Sequence, residues 1–190
     1  MPPDMTDEQI ARRALIEKEE FGLLIGRYEA KLLRYLERLG VGSREDREDI
    51  LQNAFIKAYR NLNSFDPGLS FSSWMYRITH NEAMSFFRAK RARPTLELGE
   101  EGERLLVEIK DESADTTLLA DLRLSKKELS SALAALPDKY RDALALRFFE
   151  ERSYTEMSDI LELPVGTVST LIHRAKKALR DSLAGRIDYV

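Results

Sequence analysis

Aromatic and basic side chains alternate along residues 71–93, and their types suit the binding of single-stranded nucleic acid. Helical spacing puts Tyr76, Arg77 and His80 on one side, while Trp74 shares the other side with apolar residues. Unpaired bases stack on aromatic rings, with each stack worth about 1–3 kcal/mol, and cations attract the phosphate backbone. We therefore predict a nucleic-acid surface here. The alternative is a core position for the rings, which we expect in part for Trp74 but not for Tyr76 or His80.

A second candidate lies near the carboxyl end of the sequence. Ser153 and Glu156 form a Ser-x-x-Glu capping box, which marks a helix start because both side chains satisfy otherwise unpaired N–H groups. One short helix is expected over residues 154–161. After a two-residue turn, Pro164 suits the first position of the next helix, where its missing N–H costs nothing. Two helices joined by so short a turn form a helix-turn-helix.

The second of these helices is expected to have an apolar side and a basic side. At 100° per residue the apolar side collects Val168, Ile172, Ala175 and Leu179. The opposite side collects polar and basic residues, with no acidic residue between positions 167 and 180: Ser169, Thr170, His173, Lys176, Lys177 and Arg180. Such a helix can enter the major groove, with small side chains near base edges and later cations on phosphates. A solvated helix side is the alternative, but the capping box, short turn and unopposed charge together favour DNA.

Residues that could carry catalysis or bind a metal are sparse. The sequence has no cysteine, which excludes disulfides, thiolate zinc sites and a cysteine nucleophile. Its only histidines are His80 and His173, and it has neither a glycine-rich phosphate loop nor a Ser/His/Asp arrangement. We therefore expect no enzyme activity, no metal and no cofactor.

Helices must position all of these residues, because glycine and proline number only 9 and 6 among 190 residues. Apolar residues recur at one-turn spacing along residues 21–39 and again in a second segment, as a wide stripe: Ile50, Leu51, Ala54, Phe55, Ala58, Tyr59 and Leu62. Turn-forming residues follow near position 62, and another helix is expected from Ser72 or Ser73 to about Ala92. The sequence predicts an all-α protein.

Acidic residues concentrate between two helical parts of the sequence. Residues 94–114 contain seven acidic and two basic side chains, a net charge of −5. Residues 1–93 contain 16 basic and 14 acidic side chains, and residues 115–190 contain 12 of each. We expect two small helical domains, residues 1–93 and 115–190, joined by an acidic flexible linker. Fully extended, that linker would reach about 70 Å.

The overall balance is a net charge of −3 with 33% charged residues, which is typical of a soluble globular chain. No apolar run approaches the roughly 20 residues that span a bilayer. The first residues also lack a basic segment followed by an apolar one, as a signal peptide requires. We expect a cytoplasmic protein without membrane insertion.

Two long stretches of the sequence carry a wider pattern than the single motifs. The first reads DREDILQNAFIKAYRNLNSFDPG and continues as FSSWMYRITHNEAMSFFRAKRAR; the second reads ALPDKYRDALALRFFEERSYTEMSDILELPVGTVSTLIHRAKKALRDSL. Together they resemble the second and fourth regions of bacterial extracytoplasmic-function (ECF) RNA polymerase sigma factors. The resemblance covers most of the chain. It implies a sigma region 2 bundle before the linker and a sigma region 4 helix-turn-helix after it.

The resemblance also implies a function and partners. A sigma factor of this family binds core RNA polymerase, directs it to specific promoters and helps open the DNA for transcription initiation, contacting both duplex and single-stranded promoter DNA. An anti-sigma factor is a further candidate partner, although no residue points to one. Asp49 and Gln52 would lie on the surface that docks against the coiled-coil clamp helices of the largest polymerase subunit.

Promoter contacts are likewise implied by the resemblance. The minus-ten element is assigned to the loop after position 62 and to the next helix, through Asn63, Ser64, Phe65, Asp66, Trp74, Tyr76, Arg77 and His80. The minus-35 element is assigned to the helix-turn-helix, through Tyr154, Thr155, Ser169, Thr170, His173, Arg174, Lys176 and Lys177. Glu162 stands at a turn position where glycine is frequent in the family; a left-handed backbone there would cost about 1 kcal/mol.

One alternative function uses the same helix-turn-helix in a stand-alone transcriptional regulator. It predicts tight duplex binding without polymerase, whereas a sigma factor binds weakly by itself. A second alternative, an adaptor that binds only protein, does not explain the basic residues clustered over residues 88–93 and 174–180.

Overall fold

The computed structural model of the chain describes residues 5–92 and 132–187, with side chains as far as Leu183. The predicted acidic linker, residues 94–114, lies outside these ranges. Both described ranges are helical and contain no β-strand, so the all-α prediction is confirmed. They form two compact units, an N-terminal unit made mainly of residues before 93 and a C-terminal unit made mainly of residues after 131.

In the N-terminal unit, α1 spans Asp7–Ala14, α2 spans Phe21–Arg38, α3 spans Arg44–Arg60 and α4 spans Phe71–Ala92, with 3₁₀ turns at Lys18–Glu20 and Leu62–Ser64. Side-chain caps fix two of the starts. Thr6 and Gln9 form a capping box at α1, and the Ser43 hydroxyl accepts a hydrogen bond from the Asp46 amide at 2.9 Å at α3. The Ser43 cap explains why α3 begins ahead of its apolar stripe.

Apolar residues at one-turn spacing build the core of this unit. α2 and α3 bury Phe21, Leu24, Leu32, Ile50, Leu51, Ala54, Phe55 and Ala58. Tyr59 departs from the predicted stripe, because its side chain remains 39% exposed. Its ring meets the ring of Phe21 edge to face, 5.3 Å between centroids, so it is covered on one side only. The prediction that Tyr59 is buried is therefore wrong.

In the C-terminal unit, α5 spans Asp138–Leu144 and continues into a π-helical segment, Ala145–Phe149; α6 spans Tyr154–Leu161 and α7 spans Val165–Ile187. The core of this unit collects Ala132, Leu136, Leu144, Phe148, Ala175, Leu179 and Leu183. α6 has the bounds that its capping box predicts. The sequence predicts Pro164 at the first position of the next helix, but it lies one residue earlier, at the cap of α7. Its carbonyl accepts the first helical hydrogen bonds, from the amides of Thr167 and Val168.

Two glutamates with left-handed backbone conformations flank α6, one before its start and one after its end. Glu151 has φ 53° and Glu162 has φ 55°. At Glu162 this conformation ends α6 and lets the amide of Leu163 reach the carbonyl of Ser158 at 3.1 Å. A side chain in this region costs about 1 kcal/mol relative to glycine. The tight turn of the helix-turn-helix is thus formed at a cost in backbone strain.

Asp142 on α5 is a buried carboxyl group, only 5% exposed. Its Oδ1 atom has no hydrogen-bond partner within the described ranges. Burial raises the pKa of Asp142 from 3.8 to about 7; the charge of Arg141 opposes this rise, and that of Asp138 adds to it. Because the pKa is higher in the folded than in the unfolded chain, stability falls as pH rises from about 4 to about 7.

We expect Asp142→Asn to stabilise the protein at pH 8 but hardly at pH 4, because the amide has the shape of the carboxyl group without its charge. From about 1.4 kcal/mol per pKa unit, the gain at pH 8 reaches at most about 4 kcal/mol. Urea unfolding of wild type and variant at both pH values measures it. Asp159→Asn, at an exposed position on α6, is the control and should change little. An equal gain at both pH values would contradict the role of burial.

Candidate nucleic-acid interfaces

The basic side of α7 is exposed because its apolar side is buried. Val168, Ile172, Ala175 and Leu179 are all enclosed, as their spacing predicts. On the other side the structure exposes a row of polar and basic residues: Ser169, Thr170, His173, Arg174, Lys177 and Arg180. The first half of this row is small or hydrogen-bonding and the second half is mostly cationic. This is the arrangement that lets one helix reach base edges and phosphates together.

The start of α6 is held by a network of hydrogen bonds. The Ser153 hydroxyl accepts from the Glu156 amide at 3.2 Å, and the Glu156 carboxylate accepts from the Ser153 amide at 2.8 Å. Arg152 pairs with Glu156 at 3.0 Å. Burial alone would raise the pKa of Glu156, but the hydrogen bonds from Ser153 and Arg152 outweigh it and lower the pKa. The predicted contact residues Tyr154 and Thr155 follow this cap directly and are exposed.

Two predicted contact residues of α7 have partners inside the protein. The Thr170 hydroxyl donates to the Gly166 carbonyl at 3.0 Å, which leaves its oxygen able to accept. Lys176 is half-buried, and its ammonium nitrogen lies 4.9 Å from the centroid of the Phe148 ring. The sequence placed Lys176 fully on the solvated side; the structure places it at the boundary between that side and the core.

In the N-terminal unit, the loop before α4 is shaped by local hydrogen bonds. The Asp66 carboxylate accepts from the Gly68 amide at 2.8 Å, and the Asp66 carbonyl accepts from the Leu69 amide at 2.9 Å. At the start of α4, the Glu8 carboxylate on α1 accepts from the Phe71 amide at 3.0 Å. The loop is therefore fixed internally, and the start of α4 is held to α1.

An aromatic cluster lies beneath this loop. The ring centroids of Phe65 and Phe71 are 5.3 Å apart, and that of Trp74 lies 5.2 Å from Phe65 and 5.6 Å from Phe71. Phe65 is only 7% exposed. The expectation that Phe65 faces DNA is corrected by this burial: its side chain anchors the loop from below. Trp74 is half-buried, as expected, and presents its remaining surface beside the loop.

The expectation that Tyr76 and His80 avoid the core is wrong. Tyr76 is 1% exposed and His80 is 8% exposed. Tyr35 on α2 contacts both of them: its hydroxyl lies 3.0 Å from His80 Nδ1, and its ring centroid lies 5.1 Å from that of Tyr76. A hydrogen-bonded polar tip removes most of the cost of burying such side chains. In this conformation the two residues hold α4 against α2.

The remaining predicted residues of this unit stay accessible. Asn63, Ser64 and Asp66 are exposed in the loop, and Arg77 is half-buried on α4. The end of α4 adds three exposed cations from the basic cluster of residues 88–93: Arg88, Lys90 and Arg91. These polar and cationic groups and the open side of Trp74 are of the types on which single-stranded nucleic acid can stack and pair its charge.

A third surface lies along α3. Asp49 and Gln52 are both exposed, and Gln52 borders an apolar groove between α2 and α3. The groove includes two partly exposed apolar side chains, Ile56 at 41% and Tyr59 at 39%. Ile56 is not among the residues predicted for this surface, although its position in the sequence, beside the buried stripe and outside it, is a signal that points to it. Mixed polar and apolar surfaces of this kind suit a protein partner.

Residues 5–92 and 132–187 hold neither a metal-binding cluster nor a membrane-spanning helix. Within them, no group of three or more His, Asp or Glu side chains is placed to hold a metal ion. None of their helices is long and apolar enough to cross a membrane.

Family models match both units. Residues 24–93 match Sigma-70 region 2, and residues 126–179 match Sigma-70 region 4. The first match contains the loop, α4 and the exposed side of α3, and the second contains α6 and the exposed row of α7 as far as Lys177. Each candidate surface therefore lies mainly within a sigma-factor region.

Two relatives that align over most of the chain are named as sigma factors. The ECF RNA polymerase sigma factor SigW of Bacillus subtilis is 35% identical over 170 residues, 88% of this chain and 90% of its own. RNA polymerase sigma-H factor of Pseudomonas aeruginosa is 35% identical over 185 residues, 93% of each chain.

Among solved structures, CnrH in complex with the cytosolic domain of CnrY has a TM-score of 0.66 at 23% identity and covers 96% of this chain and 97% of its own. The sigma factor RpoE in complex with the anti-sigma factor NepR, from Bartonella quintana, has a TM-score of 0.66 at 19% identity, over 87% and 98%. These two likenesses concern the fold, and the sequence relatives supply the family. The chain belongs to the ECF family of RNA polymerase sigma factors.

Proposed function

We propose that this sigma factor contacts promoter DNA through two separate surfaces and core RNA polymerase through a third. The observation that carries the proposal is the exposed row on α7, backed by a fully buried apolar side. A helix held in this way offers its polar row to a groove without rearrangement, which lowers the cost of binding.

The minus-35 element is read by the helix-turn-helix in this proposal. Ser169, Thr170 and His173 lie in the first half of α7 and would meet base edges. Arg174, Lys176 and Lys177 would neutralise phosphates, with Tyr154 and Thr155 at the backbone nearby. Phosphate contacts fix the register of the helix, and base contacts supply the sequence preference.

The minus-ten element is captured by the loop before α4. Asn63, Ser64 and Asp66 would surround an unpaired base, because their polar groups are exposed and their backbone is held by local turns. Trp74 and Arg77 would stack on the opened strand and pair with its charge. Phe65, Tyr76 and His80 support this surface from within the protein. Capture of bases in the open state supplies the free energy for strand separation, so the proposal needs no cofactor and no catalytic activity.

Core polymerase would dock on α3 through Asp49 and Gln52. We further propose domain limits at residues 1–93 and 115–190 with a linker of residues 94–114, which the two separate family matches support. An anti-sigma factor is a proposed partner class, because the similar chain RpoE was solved with one. The cytoplasm is the proposed location, since a polymerase subunit acts where the chromosome is.

The function is tested by run-off transcription with purified core polymerase and a genomic promoter library. We expect transcripts that depend on adding this chain and that share two upstream elements. A chain that binds duplex DNA tightly alone, and directs no transcription with core enzyme, would instead be a stand-alone regulator and would contradict the proposal.

Lys177→Ala should weaken promoter binding by about three- to tenfold on every promoter and lower the slope of log affinity against log salt by about one. Thr170→Ala should instead change which minus-35 sequences are selected, because in the proposed complex its hydroxyl oxygen and methyl group would lie near base edges. Binding of the holoenzyme to a randomised minus-35 library at several salt concentrations measures both effects. A uniform loss from both variants would contradict the division into phosphate and base contacts.

Replacing Asp49 and Gln52 together by alanine should weaken association with core polymerase about tenfold or more, because polar contacts at the centre of an interface are costly to remove. Fluorescence anisotropy of the labelled chain titrated with core enzyme measures the affinity. Glu19→Ala removes an exposed carboxylate outside this surface and serves as the control. Equal affinity of the double variant and the control would place the docking surface elsewhere.

A further inference from the structure

The π-helical segment Ala145–Phe149 touches both helices of the helix-turn-helix through consecutive side chains. Arg147 donates from Nη1 to the Arg152 carbonyl at 3.0 Å, and its guanidinium carbon lies 5.6 Å from the centroid of the Tyr154 ring. The next side chain, Phe148, lies beside α7, where its ring centroid is 4.9 Å from the Lys176 ammonium nitrogen. This segment is therefore placed to influence predicted DNA contacts on both helices.

The contact between Phe148 and Lys176 fixes a normally mobile cation. Phe148 is 7% exposed and belongs to the core cluster with Ala175 and Leu179, so the position of its ring is set by the core. A cation within about 6 Å of a ring face is attracted by the negative charge of that face. A lysine side chain has many accessible conformations, and the ring contact selects among them before any ligand binds.

Lys177 provides a natural comparison on the same helix. It is exposed, and within the described part of the chain it makes no ion pair or ring contact. These two neighbouring lysines thus differ in conformational freedom, because the Lys176 ammonium is held over a ring and the Lys177 ammonium is solvated. Any effect of the ring on DNA binding should therefore reach one lysine and not the other.

We propose that Phe148 is a positioning residue, which holds the Lys176 ammonium ready for a phosphate of the promoter backbone. The inference rests on the proposed role of α7 in DNA binding. Phe148 does not touch DNA itself, because its ring is buried. It acts by reducing the conformational freedom that Lys176 loses when the helix enters the groove.

A double-mutant cycle in holoenzyme binding to a promoter fragment from the run-off library tests this role. Phe148→Leu keeps an apolar side chain in the core but removes the ring face. We expect Phe148→Leu and Lys176→Ala each to weaken binding about three- to tenfold, and the double variant to bind no more weakly than Lys176→Ala. Phe148→Leu combined with Lys177→Ala is the matched control, in which the two losses should multiply.

Losses that multiply equally with both lysines would overturn the inference, as would unchanged binding of Phe148→Leu. If wild-type holoenzyme selects no promoter at all, the proposed function fails first, and the positioning role fails with it. A readout on the wild-type chain guards against misfolding of the leucine variant. In its NMR spectrum the ring should shift the ε-methylene protons of Lys176 upfield of those of Lys177, and equal shifts would overturn the contact.

Discussion

Burial of one side of α7 is the constraint on which the exposed surface of the C-terminal unit depends. Each large apolar side chain enclosed there contributes on the order of 1.5–3 kcal/mol, and Ile172 and Leu179 share one side because they lie close to two helical turns apart. Rotating the helix by one residue would bury His173 or Arg174 without partners, at a cost that no surface contact repays. The polar row is therefore already exposed in the free protein, before DNA binds.

In the N-terminal unit, aromatic residues with polar groups are buried in the core, and their packing likewise determines which residues stay exposed. Tyr35, Tyr76 and His80 pack together between α2 and α4, and the contact between the Tyr35 hydroxyl and the His80 imidazole satisfies the polar groups of those two side chains. Phe65 and Phe71 fill the space beneath the loop. Asn63, Ser64, Asp66 and the open side of Trp74 remain accessible. They are supported from below by these packed side chains. A rigid support of this kind suits base capture, because little order has to be gained on binding.

The sequence predicts the features that depend on neighbouring residues, and it does not predict those that depend on residues far away along the chain. Helix bounds and the buried side of α7 depend on local caps and one-turn spacing, which can be read directly from Ser153 and the residues after Pro164. The burial of Tyr76 and His80 depends on Tyr35, about 40 positions earlier, which a single helical wheel does not contain. Lys176 is similar, because its partner Phe148 belongs to a π-helical segment whose register periodicity does not reveal.

We propose that the two units of this sigma factor engage DNA differently, one reading the duplex and the other holding an opened strand. Footprinting of the holoenzyme on a selected promoter, with hydroxyl radicals for protection and permanganate for unpaired thymines, tests it most directly. We predict two protected patches about two helical turns apart, on the order of 70 Å. Reactive thymines should occur only in the downstream patch. A single protected patch, or unpaired thymines in the upstream patch, would contradict the account.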